Sequence, residues 1–516
     1  MPDQRARTHR RCRLPCGEFD RASGCGRRDG RTLAARSANE RSLKLSTKLD
    51  LVIQGGIVVN ADHMQRADVG ISEGRVVALG EALGDAKQTI DAAGRLVMPG
   101  GVDTHCHIEQ VSGNGLLNAD TFETATRSAA FGGNTTVVSH AAQHKGNRVA
   151  AVVKDYSALA ARGAMVDYAF HIIVSDPEVE ALEALEALEA DIAALATDGH
   201  RSLKIFTTYA IRLSDAQILA VFALARKVGG LVCIHAENHD MIQHAVRRNL
   251  VAGNVAPKFH AQSHTRLAEA EAVCRMIRFS EFLDQPIMLF HISTREGVEA
   301  VREARARGAK VFAETCTHYL LMTADVLDRP GIEGAKFVCS PPQREVADQD
   351  ALWEGLTRGD LQIVTSDHAP FRFDETGKLN KGKAPAFNEI PNGMPGLEVR
   401  LPLLFDAMVS RGRFDACRFV QMTSSRPAQI FGLRDKGRIA VGADGDIAIW
   451  NPKRQVRYGD NDLHDNVGYN PYAGRTVTGW PEIVISRGET IVADGQLLAG
   501  PGRRIGSSWN LASKGV

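Results

Sequence analysis

The apolar positions of this chain follow two rhythms. From LDLVIQGGIVVN, which begins at Leu49, short aliphatic runs are broken by glycine turns, and ADVGISEGRVVALG and QTIDAAGRLVMPG continue the pattern. The same rhythm returns near the other end in KGRIAVGADGDIAIWNP and EIVISRGETIVADGQLLAG. Such runs predict short strands joined by tight turns. Between them, from about Gly100 to Phe431, apolar runs alternate with segments of helical period, the mark of repeated strand–helix units. The fold class expected is α/β: a (β/α)8 TIM-like barrel with a smaller β-sandwich domain formed from both chain ends. The boundaries expected are 49–98 with 432–500 for the sandwich and 99–431 for the barrel, followed by a tail over 501–516. One segment, EVEALEALEALEAD, is nearly a repeat and reads as an exposed amphipathic helix.

Residues 1–48 have neither rhythm. They are rich in Arg, Gly and Ser, with 12 basic and 5 acidic residues up to Lys44, which leaves 50 basic and 56 acidic for the rest. This reads as a disordered extension, or as sequence upstream of the true start. It has no apolar stretch of the secretory type, and its five acids and missing amphipathic helix argue against an organellar address. Cys12, Cys16 and Cys25 lack a fourth ligand for a metal knuckle. Over all 516 residues the net charge is +1, so no overall field recruits nucleic acid or an anionic membrane. No run reaches the roughly 18 apolar residues of a membrane span. The six cysteines of the body lie scattered, mostly in apolar stretches such as LVCIH, as reduced cytoplasmic thiols do.

In a barrel of this kind chemistry sits where the strands end, so the polar residues closing each apolar run carry the information. GRLVMPGGVDTHCH ends in His105 and His107, RSLKIFTTY carries Lys204 and Tyr209, GGLVCIHAEN ends in His235, QPIMLFHIS in His291 and LQIVTSDHAP in Asp367. Two residues apart on extended backbone, His105 and His107 point to one side and form a chelating pair after a flexible Gly-Gly. Imidazole and carboxylate ligands suit Zn2+ and related divalent ions. Lys204 is the odd member, since an ammonium is repelled by cations. Desolvated, it loses its proton readily, and the neutral amine can take up CO2 as a carbamate with two oxygens to bridge metals. A surface or salt-bridged lysine is the plain alternative. His239, His140, His144 and His368 are weaker candidates: surface or outer support for His239, pocket rim for His140 and His144, a supporting hydrogen bond for His368. Cys106 reads as packing.

Taken together, MPGGVDTHCH, SLKIFTTY, VCIHAEN, FHIS, CSPP, TSDHAPF and IPNGMPGLE resemble the signature blocks of the dihydropyrimidinase/hydantoinase branch of the amidohydrolase superfamily, in order from about Leu49 to Gly500. The resemblance implies a two-zinc cyclic-amide hydrolase. In it His105, His107 and Asp367 hold one metal, His235 and His291 hold the other, and carboxylated Lys204 bridges them. Two cations sharing a water yield hydroxide near neutral pH. Asp367 then takes the water's proton and passes it to the leaving ring nitrogen, and Tyr209, five residues after Lys204, helps stabilise the oxyanion. Ser340 in CSPP and Asn392 in IPNG match positions that grip the substrate, largely through backbone groups. The resemblance further implies a homotetramer acting on a small cyclic amide.

The ring substituent is expected against loops at 111–117 and 208–213. Dihydropyrimidines and 5-substituted hydantoins present the same amide–urea edge, and cyclic imides and allantoin remain as alternatives. Dihydroorotases commonly place an Arg just after the paired histidines; here Ile108, Glu109 and Gln110 follow, and Glu109 would repel a substrate carboxylate. A non-enzymatic scaffold relative would lack ligands, whereas all six are present.

Overall fold

The computed structural model describes residues 49–113, 115–498 and 502–507. The arginine-rich arm, its three cysteines and most of the expected tail lie outside the described residues.

Eight parallel strands form the central sheet: β1 (Gly101–Cys106), β2 (Asn134–Ala142), β3 (Asp167–Ile173), β4 (Ser202–Phe206), β5 (Leu231–His235), β6 (Ile287–Leu289), β7 (Val311–Cys316) and β8 (Ile363–Thr365). Each pairs with the next in sequence order, and a parallel bridge between Cys106 and His368 joins the last strand's exit to the first, so the sheet curls into a barrel. Its strands are buried along their length, as expected of a parallel sheet covered on both faces. Helices such as Phe122–Phe131, Asp215–Lys227 and Arg266–Leu283 supply the covering layer. The first two begin at Thr121 and Ser214, whose hydroxyls take up an orphan backbone N–H. The repeat-like segment forms the helix Leu182–Thr197, with Leu188, Ile192 and Leu195 buried and Leu182 exposed.

The chain ends build two further sheets. One has four strands, all from residues 49–91. The other has seven, and places Leu96–Pro99 beside Ile447–Arg457, so both ends of the chain share one sheet. Leu51, Ile53, Val69 and Ile71 of the first pack with Val58, Val97, Ile447, Ile449 and Ile485 of the second into one apolar cluster. This is the β-sandwich the glycine-punctuated runs predict.

One feature differs from the sequence reading. The run LVMPGGVDTHC crosses the expected sandwich–barrel boundary as two strands, Leu96–Pro99 in the sandwich and Gly101–Cys106 in the barrel, but the Gly-Gly at their junction serves close packing rather than flexibility. A Cβ on Gly100 would lie 2.1 Å from Thr135 Oγ1, and one on Gly101 2.5 Å from Leu401 Cδ1. A buried Arg400–Asp103 ion pair at 3.2 Å then ties β1 to the closing side of the barrel, where Arg400 Nη1 donates to the Val364 carbonyl.

Buried imidazoles make the fold sensitive to acid. Burial draws His171 down to about 3 and His318 to about 4; His200 falls to about 4 through burial and the neighbouring Arg504. These values lie below the ordinary 6.5, so the unfolded chain binds more protons on acidification. The stability they contribute is present above pH 6.5 and is lost as pH falls toward 4. At pH 5 each imidazole costs about 2 kcal/mol. The thermal midpoint is therefore expected to fall between pH 7.5 and pH 5; a midpoint flat across that window contradicts the burial of these rings as neutral groups.

Candidate functional site

At the carboxyl ends of the barrel strands lies a cavity of about 430 Å³. All nine residues singled out from the sequence line it: His105, His107, Lys204, Tyr209, His235, His291, Ser340, Asp367 and Asn392. β1 delivers His105, with His107 just past its end, β4 delivers Lys204 and β5 ends on His235. His291 and Asp367 sit two residues beyond the last pairs of β6 and β8.

Those two strands stop early for a backbone reason. His291 has φ 42° and Asp367 φ 47°, and Tyr209, three residues beyond β4, has φ 71°. Left-handed backbone is costly for residues with a Cβ and concentrates where side chains must be aimed. Here it turns three chains out of the sheet and into the cavity.

The ligand-type atoms converge. His105 Nε2 and His107 Nε2 lie 3.1 and 3.5 Å from the same Asp367 oxygen, Oδ1. The His235 and His291 rings are 4.5 Å apart between centroids, and His291 is 5.4 Å from His105. For three of these histidines the other ring nitrogen is already engaged. His105 Nδ1 meets Glu314 Oε1, His107 Nδ1 meets Gln110 Oε1 at 2.7 Å, and His235 Nε2 meets Glu237 Oε2 at 2.8 Å. Outer partners of this kind fix the ring orientation and leave the opposite nitrogen free for an ion. Burial holds His105 and His291 well below the ordinary imidazole range, with the Lys204 charge and neighbouring imidazoles adding to it. They are therefore neutral and carry lone pairs.

Lys204 is fully buried, and its Nζ has no hydrogen-bond partner among the described residues. It rests 4.0 Å from the centroid of Phe290 and 4.9 Å from that of Phe206. Burial draws its pKa down to about 8. An amine so placed is the unsatisfied group that carboxylation would satisfy, and the surface reading of Lys204 is excluded. The donor set of four imidazoles, one carboxylate and this amine fits a pair of divalent ions.

Tyr209 is flanked by the side chains of Ser340 and Asn392, and burial together with the Glu237 charge pushes its phenol well above the usual range. It stays protonated and able to donate. Ser340 Oγ donates to Glu237 Oε2 at 2.6 Å, and His264 Nδ1 lies 3.0 Å from Glu237 Oε1. Glu237 is a residue the sequence reading missed. The signal was available, because it follows His235 by two on extended backbone, the same spacing that singles out His105 and His107. Glu314 and Gln110 carried no such signal.

The weaker candidates separate. His368 makes its expected supporting bonds, to Asp120 Oδ2 at 3.0 Å and from the Gly396 N–H at 3.0 Å. His239 stands at the cavity lip, 3.3 Å from Thr208 Oγ1. His144 is exposed and outside the cavity lining. His140 is not at the rim: it is wholly buried, stacked on His107 at 4.3 Å, its Nδ1 donating to the Cys106 carbonyl at 3.0 Å. Glu109 also differs from expectation. It turns out of the cavity to pair with Arg162 at 3.1 Å, so it repels nothing inside. The case against a carboxylate substrate rests instead on the lining, which includes no arginine among the described residues. The substituent loops do reach the cavity, through Ser112 and Gly113 on one side and Thr208 to Ile211 on the other.

A closed parallel barrel that gathers imidazoles and a carboxylate at the exits of its strands has the architecture of metal-assisted hydrolases. The chain belongs to the amidohydrolase family, whose sequence model matches residues 96–491. It is 40% identical over 456 residues to a D-hydantoinase of Ralstonia pickettii, covering 88% of this chain and 97% of that protein. A D-hydantoinase of Rhizobium radiobacter is 39% identical, with the same coverage. The crystal structure of dihydropyrimidinase from Brevibacillus agri superposes with a TM-score of 0.84 at 37% identity, over 89% of this chain and 99% of that one.

Proposed function

We propose that this protein is a cyclic amidase that opens the ring amide of dihydropyrimidines and 5-substituted hydantoins to give N-carbamoyl amino acids. His105, His107 and Asp367 would hold one divalent ion, His235 and His291 a second, with carboxylated Lys204 between them; zinc suits the donor set. When bound, such a pair supplies the positive charge that acidifies a water and polarises a carbonyl. The observation that carries the reading is the buried Lys204 Nζ, without a hydrogen-bond partner among the described residues, in one cavity with four histidines and an aspartate. The similarity to hydantoinases and a dihydropyrimidinase supports the substrate class.

The chain's own residues have distinct tasks. Ser340 and Asn392 orient the substrate amide through backbone N–H and C=O groups. The Tyr209 phenol donates to the oxygen that gains charge as the ring carbonyl becomes tetrahedral. Asp367 accepts the proton of the attacking water and returns it to the ring nitrogen, so that the C–N bond breaks with a neutral amide leaving. The cavity's outer wall, with Ile211, Ile242, Val246 and Phe387, accepts an apolar substituent on the ring.

A hydrolysis panel tests the reading: dihydrouracil, 5-substituted hydantoins, allantoin, dihydroorotate and succinimide, with zinc-loaded protein and bicarbonate present. Turnover of the first two classes is expected. Preference for succinimide or allantoin would reassign the substrate, and silence on every cyclic amide would reject the function. Light scattering is expected to give the mass of a homotetramer. The six cysteines of the described body are unpaired, which supports a reducing, cytoplasmic setting.

A further inference from the structure

Behind the substrate-gripping loops sits a second buried lysine that the reaction as derived does not use. Lys378 lies in the loop following β8 and is fully buried. Its Nζ donates to two backbone carbonyls, Val338 at 2.8 Å and Pro391 at 2.7 Å. No carboxylate pairs with it among the described residues. The turn that brings it there is tight: Lys378 N–H donates to the Arg372 carbonyl at 2.8 Å, and a Cβ on Gly377 would lie 2.3 Å from that same oxygen. The placement is therefore built into the loop backbone.

The two acceptors are informative. The Val338 carbonyl opens the Val338–Cys339 peptide at the start of CSPP, and the Pro391 carbonyl belongs to the Pro391–Asn392 peptide of IPNG. Gly393 N–H also donates to Val338 at 3.0 Å, so the two segments are laced together at this point. Ser340, two residues after Val338, and Asn392, directly after Pro391, line the cavity. One amino group thus holds the spacing between two strips of main chain that lead into the cavity lining. Its two N–H donations to the two carbonyls are the link, and they are what the placement supplies.

We propose that Lys378 is a positioning residue for substrate recognition, clamping together the two peptide segments that bind the cyclic amide. This rests on the cyclic-amidase reading above. It predicts a loss of binding shared by ground state and transition state, which appears in KM and spares kcat. The test uses zinc-loaded holoenzyme carrying Lys378→Met and, separately, Lys378→Gln, which keeps two N–H donors on a shorter side chain. With the substrate best turned over by the unaltered protein, Lys378→Met is expected to raise KM about tenfold, with kcat within about threefold and metal content unchanged. Lys378→Gln is expected to fall between the two, and it is read by the same thresholds should the Met variant not fold. A KM within twofold of the unaltered protein in the variants that fold overturns the proposal, as does a loss confined to kcat or to bound metal. Absence of cyclic-amide turnover in the unaltered protein defeats the underlying reading, whereas an active parent with unaffected variants defeats this inference alone.

Discussion

Lys204→Ala is expected to abolish turnover, by on the order of 10³-fold or more, and to leave well under two metal ions per chain. The argument starts from solvation. A lysine at its ordinary pKa is about 0.1% neutral at pH 7.5, whereas one drawn down to about 8 is roughly a quarter neutral. That difference makes the amine available to CO2, and the carbamate proposed to form would turn a repelled cation into an anionic ligand. Without it, four imidazoles and one carboxylate would carry too little negative charge to offset the mutual repulsion of the proposed pair of divalent ions. Elemental analysis of the purified variant and assay with bicarbonate check both halves. The alanine also leaves a void against Phe206 and Phe290, so added short carboxylates such as propionate are expected to restore part of both metal and activity. Full metal occupancy with full turnover in the unsupplemented variant would remove Lys204 from the centre of the site.

Which parts of this molecule could be read in the sequence follows from which were set locally. Strand ends were legible because an apolar run closed by a polar residue marks the rim of a parallel barrel, and the seven residues chosen on that ground line one cavity, joined there by Ser340 and Asn392, which only the family resemblance had singled out. Sandwich strands were legible because glycine turns punctuate them. Tertiary contacts were not. Glu314 reaches His105 across 209 positions and Arg400 reaches Asp103 across the closing seam; neither spacing leaves a trace in periodicity. His140 closes an apolar run much as His235 does, yet its Nδ1 is taken up by a neighbouring strand's carbonyl, which draws the ring beneath the site instead of to its edge. Glu109 was misjudged because its position after the paired histidines said nothing of direction; φ 47° there turns the side chain outward. The helical segment after Arg400 also hides its irregularity. Residues 406–410 and 421–425 widen into π-type turns, a packing outcome that no local preference signals.

Tyr209→Phe is expected to keep both metal ions and most substrate affinity while lowering kcat by roughly 10²–10³, the usual cost of removing one preorganised oxyanion donor. Three features of the structure make the hydroxyl a donor rather than a rim decoration. Its left-handed backbone, φ 71°, aims the ring at the cavity against the preference of an aromatic residue. Its phenol is held protonated by burial and by Glu237, so it cannot become the phenolate that would repel a developing negative charge. It also sits between Ser340 and Asn392, the two residues proposed to hold the amide, and that proposal would bring the scissile carbonyl within its reach. The same neighbours make the alternative testable. If Tyr209 served only to shape the pocket, phenylalanine would preserve the ring's packing against His235 at 5.1 Å, and kcat would stay near that of the parent with any change confined to KM. A kcat loss that persists at saturating substrate, with metal content unchanged, separates charge stabilisation from shape, because only the former is felt after the substrate is bound.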